Sequence, residues 1–150
     1  SLYLRNIYFQ YFYNLLNHLS SKYKIFLIGE KRIDPNEEYR IHKDYVFCIY
    51  TDIIKNVPNV IDLTVDEIAN NPVISLLKRD CSIMNNCYFS VCLGDGGNFC
   101  LSSSVSPKTF SLITYPKFLD ETLIDLNKNH HIKLCTSFSS FEEKIKNFIK

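Results

Sequence analysis

Residues 87–105 read CYFSVCLGDGGNFCLSSSV. The first part, CYFSVCLG, is a short apolar run without strict alternation, as expected of a strand covered on both faces. It runs into Leu93–Asn98, LGDGGN, which holds three of the four glycines in the chain. Glycine serves tight turns and lets a ligand approach the backbone closely. FCLSSSV, residues 99–105, then reads as a short helix. Strand, glycine loop and helix in succession form the repeating unit of a parallel α/β fold, if the pattern recurs along the chain.

It does recur. YKIFLIGE (23–30) is an unbroken apolar run that ends at Gly29, the fourth glycine. NVIDLT (59–64), KTFSLITYP (108–116) and HIKLCTSF (131–138) complete a set of five predicted strands. Between them, helices are expected over 48–56, from Pro72 onward with Ile74, Leu77 and Cys81 on one face, and over 118–128. At the start, Phe9, Phe12, Leu16 and Leu19 mark one face of a helix within 5–20. At the end, Ser139 and Glu142 have the spacing of a capping box, ahead of a face made by Phe141, Ile145 and Phe148. KRIDPNEEYRIHKD (31–44) is a polar loop long enough to suggest function. The expected architecture is a single Rossmann-like α/β domain over 1–150. Its parallel sheet has about five strands, with helices on both faces and right-handed crossovers.

Composition narrows the function classes. The chain has 150 residues, 46% hydrophobic and 22% charged, near the globular average. A net charge of +1 argues against the basic face that duplex nucleic acid needs, and nucleic acid is not expected as a partner. None of the six cysteines forms a CxxC pair, and Cys48, Cys92 and Cys135 lie inside apolar runs. Free buried thiols in a reducing cytoplasm are the simpler reading. No metal site is expected, because His130, His131 and Cys135 lack ligand-pair spacing and adjacent residues of a strand point to opposite faces. No apolar run is long enough to span a bilayer; peripheral association is left open. The chain starts at Ser1, consistent with a piece of a longer protein.

In an open parallel sheet, ligands bind beyond the carboxyl ends of the strands. Gly29 and the Gly94–Gly97 loop both fall at such ends and are expected on the same sheet edge. A glycine turn before a helix presents free N–H groups and the positive end of the helix dipole, which suit a phosphate or diphosphate. The two common glycine motifs do not fit. Phe99 stands where a dinucleotide fingerprint needs its third glycine, and Asn98-Phe99 replaces the Lys-Ser/Thr of a P-loop. A structural turn capped by Asp95 or Asn98 is the plainer alternative.

The order of these segments resembles the C-terminal, donor-binding half of GT-B glycosyltransferases, in particular the heptosyltransferase-like group. The resemblance is carried by FLIGE (26–30), VIDLT (60–64), the stretch ISLLKRDCSIMNNCYFSVCLGDGG (74–97) and DGGNFCLSSSVSPKTFSLITYP (95–116). It implies that Asp95, Gly96, Gly97 and Asn98 sit at the diphosphate of a nucleotide sugar, with Gly29 and Glu30 facing the same cleft. Lys31 or Arg32 would assist as a cation. Gly96 stands in place of the family's usual serine, and Cys100 where a histidine is often found. The nucleotide sugar would be a substrate, and no cofactor is expected. The acceptor site and catalytic base would come from an N-terminal domain that 150 residues do not contain, so the fragment would not complete the transfer alone. The product would be a surface glycan or a lipid-linked glycan.

Two other readings stand beside this one. A non-catalytic, flavodoxin-like α/β module for interaction or signalling fits the same element order, although Glu30, Asp62 and Asp95 are placed poorly for a phosphorylation site. A small hydrolase using Cys100 or one of Ser102–Ser104 lacks the G-x-S-x-G elbow.

Overall fold

The computed structural model describes residues 12–29, 53–64, 73–93, 97–112 and 131–150. By internal contacts the chain divides into two units, Ser1–Leu76 and Leu77–Lys150.

In the first unit, residues 12–20 are helical (α1) and residues 53–56 form a helical turn (α2). Helix α1 buries Phe12, Leu16 and Leu19 as expected, together with Leu15. Leu15 follows Phe12 by three and precedes Leu19 by four, so it widens the same apolar stripe. Strands β1 (Ile25–Leu27) and β2 (Val60–Asp62) pair in parallel, Ile25 opposite Val60 and Leu27 opposite Asp62. Asn59, at φ 57°, turns the chain into β2. Asparagine is among the few residues that accept this left-handed conformation. Its side-chain amide donates to the Ser20 carbonyl at 2.9 Å, and its own carbonyl accepts the Ile25 N–H at 2.9 Å. One residue thereby ties the end of α1 to the start of both strands. The double cover expected for β1 is not reached among the described residues, where Phe26 is 45% exposed.

The second unit is a three-stranded parallel sheet in the order β3 (Ser90–Leu93), β4 (Thr109–Leu112), β5 (Ile132–Cys135). Its register sets Ser90 opposite Thr109 and Thr109 opposite Ile132. All four residues of β4 are buried, which fits a central strand covered on both faces. Helix α4 (Gly97–Val105) joins β3 to β4, and α5 (Phe138–Phe148) follows β5. The hydroxyl of Thr109 donates to the carbonyl of Ser102 in α4 at 3.0 Å. The ring of the next residue, Phe110, lies 5.5 Å from that of Phe148 in α5. Successive strand residues point to opposite faces, so α4 and α5 cover opposite sides of the sheet.

The chain is therefore α/β with parallel strands, and its second unit carries helices on both faces. The described strands pair as one sheet of two and one of three, not as the single sheet of five that was expected. Strand composition signals burial, whereas strand partners are set by tertiary register, which an apolar run does not encode.

Two local expectations are corrected. Helix α3 (Val73–Asn86) leaves Ile74 70% and Leu77 49% exposed, and buries Met84. Leu76, Ile83 and Met84 define a second apolar stripe beside that of Ile74, Leu77 and Cys81, and periodicity alone does not choose between two stripes. At α5 the N-cap is Ser137, whose side chain accepts the Ser140 N–H at 3.3 Å. Ser139 lies inside the helix, and Ser137 competes successfully because starting there buries Phe138 as well as Phe141 and Ile145. The helix expected over 118–128, Phe9, and the loop 31–44 lie outside the described residues.

Candidate functional site

Strand β3 ends at Leu93 and α4 begins at Gly97, so three residues connect them. Gly97 and Asn98, expected in the loop, are the first two residues of the helix, which starts two positions before the expected Phe99. The first N–H groups of a helix have no intrahelical acceptor. The first turn of α4 itself contains no acidic residue. Gly94, Asp95 and Gly96 lie outside the described residues, as do Glu30, Lys31 and Arg32. Gly29 is described: it follows β1 at φ 121°, a conformation open to glycine and strained for residues with a Cβ. Of the predicted site residues, the structure brings Gly97 and Asn98 together at the carboxyl edge of β3. Gly29 follows a strand of the other sheet.

Phe99 fixes where α4 starts. It is buried with Ile132, Leu134 and Cys92 in one apolar cluster, which closes the sheet face directly beneath the first helical turn. Along the rest of α4, small polar groups make the contact. Ser102 is fully buried; its hydroxyl donates to the Phe99 carbonyl at 3.1 Å and lies 3.2 Å from Cys92 Sγ. Further along, Ser106 receives the hydroxyl of Ser90 at 2.9 Å and donates to the Lys108 carbonyl at 3.0 Å. Cys87 Sγ lies 3.5 Å from both hydroxyls. Strand β3 and helix α4 thus run in opposite directions, pinned at three levels. The amino end of α4 is held at the carboxyl edge of β3 by Phe99, and its other end by Ser106.

Of these seam residues only Ser102 was singled out from the sequence for a site, and then as a candidate nucleophile, not as a packing contact. A signal for them was present: three successive serines (102–104) are poor helix formers, so a helix through them is held by tertiary contacts more than by propensity. The structure gives all three a carbonyl, since Ser103 and Ser104 donate to Cys100 at 3.0 and 2.8 Å.

Cys87, Cys92 and Cys135 read as structural. All five described cysteines are free thiols, with Cys135 buried and Cys100 exposed. Burial pushes the Cys92 thiol above its ordinary pKa; the Ser102 hydroxyl opposes this and Cys87 adds to it. Cys92 is therefore a neutral thiol at neutral pH and a poor nucleophile. Among the described residues there is no cluster of His, Cys, Asp and Glu able to hold a metal, and no helix long and apolar enough to cross a membrane.

A shallow groove lies at the other end of α4, lined by Leu77, Lys78, Cys81, Ser82, Asn85 and Val105. Val105 is eight residues from Gly97, or about 12 Å along a helix, so this groove is separate from the glycine site.

No protein-family model, curated protein or solved structure matches the chain.

Proposed function

We propose that the chain is the donor-binding part of a GT-B-type glycosyltransferase with a Rossmann-like architecture. It takes the nucleoside diphosphate of an activated sugar at the carboxyl edge of β3. The observation that carries this reading is the three-residue connection from a parallel strand into a helix opened by Gly97, with no acidic side chain in its first turn. Backbone N–H groups held there are preorganised for the charge that grows on a leaving diphosphate. Asp95, Gly96, Gly97 and Asn98 line the diphosphate site in this reading. The resemblance alone names Gly29, Glu30 and Lys31, which lie in the first unit, and the proposed site at β3 does not rest on them. The donor is a substrate and no cofactor takes part. The acceptor and the catalytic base come from a separate N-terminal domain, in the cytoplasm, for synthesis of a surface or lipid-linked glycan.

Calorimetric titration with UDP, GDP, ADP and CMP tests the reading. Binding of at least one nucleoside diphosphate is expected, weakened about tenfold or more by Gly97→Val, a loss of about 1.4 kcal/mol. Absence of binding by UDP, GDP and ADP overturns it, whether or not CMP binds.

A second reading, the non-catalytic interaction module, is favoured by the exposure of Ile74 and Leu77 on α3. It predicts no nucleotide binding, and association that is lost in Leu77→Lys.

A further inference from the structure

We draw no further inference here: the strongest candidate, the apolar groove between α3 and the end of α4 with Leu77 exposed in its lining, is an unpartnered face, and nothing in the structure shows what covers it.

Discussion

The two faces of the three-stranded sheet are built by different means. Under α5 the contact is aromatic: Phe110 meets Phe148 at 5.5 Å and Phe89 at 5.9 Å, and Tyr88 stacks on Phe148 at 5.2 Å. Under α4, apart from the Phe99 cluster, it is a seam of hydroxyls and thiols in which Ser90, Cys92, Ser102, Ser106 and Thr109 each meet a named partner. Aromatic packing is worth more free energy and tolerates small shifts. Hydrogen bonds are individually worth little on net, but they are directional and costly to leave unmade. The α5 face therefore supplies stability, and the α4 face supplies a fixed helix position. The helix held by directional bonds is the one that starts at the proposed diphosphate site.

Truncating each face separates these roles. Phe110→Ala removes the ring at the centre of the aromatic face and should cost about 3–5 kcal/mol, read as a lower urea midpoint. A cost below about 1 kcal/mol would mean that the aromatic face is not the main source of stability. Thr109→Val keeps the shape and removes the hydroxyl bond to Ser102. That carbonyl retains the Ser106 N–H at 2.8 Å, so the cost should be only about 1 kcal/mol. Thr109→Ser, which keeps the hydroxyl, should retain that bond, and the two variants together test whether direction or volume holds α4.

The remaining tests probe the edges of the comparison. Ser137→Ala removes the N-cap of α5 and should cost about 1 kcal/mol by thermal melting. An equal cost in Ser139→Ala would restore the capping box expected from the sequence. Lys146→Ala breaks the pair with Glu142 at 2.7 Å on the outer side of α5. An exposed i,i+4 pair of this kind is worth only about 0.3–0.5 kcal/mol.

The last test is one of pH. Because the folded pKa of Cys92 lies above its ordinary value, the unfolded chain releases this proton first. The contribution to stability is complete below the ordinary thiol range and is lost as pH rises through the raised folded value. Lys108 has the opposite sign, since burial and then Lys133 lower its pKa, and stability rises as pH climbs from that lowered value towards the ordinary lysine range. Comparing wild type with Cys92→Ala in denaturant melts from pH 8 upward isolates the thiol: the variant should lose the downward component. Identical pH slopes would show that Cys92 does not ionise differently on folding.

The same contrast explains what could be read from the sequence. Apolar patterns located the three strands of the second sheet, the Phe141 and Ile145 face of α5, and most of the α1 stripe. Where two apolar stripes shared one helix, as on α3, the pattern selected Ile74 and Leu77, which the fold leaves exposed. The α4 seam was hidden for another reason. Serine and cysteine carry no periodic signature, and their partners are Thr109, Ser90 and backbone carbonyls fixed only once the register is set. At the candidate site, the glycines placed the helix start near Gly97, but Phe99 was read only as a departure from a glycine motif, and its packing against Ile132 and Leu134 became visible with the register.

Strand β4 has a paired neighbour on each edge and a helix on each face. Its amides accordingly have no small opening that reaches water, so hydrogen exchange at Phe110–Leu112 should follow the free energy of global unfolding. These few amides act as an internal gauge of the stability of the second unit. A ligand that binds at the amino end of α4 would slow their exchange by the factor 1 + [L]/Kd, without touching them.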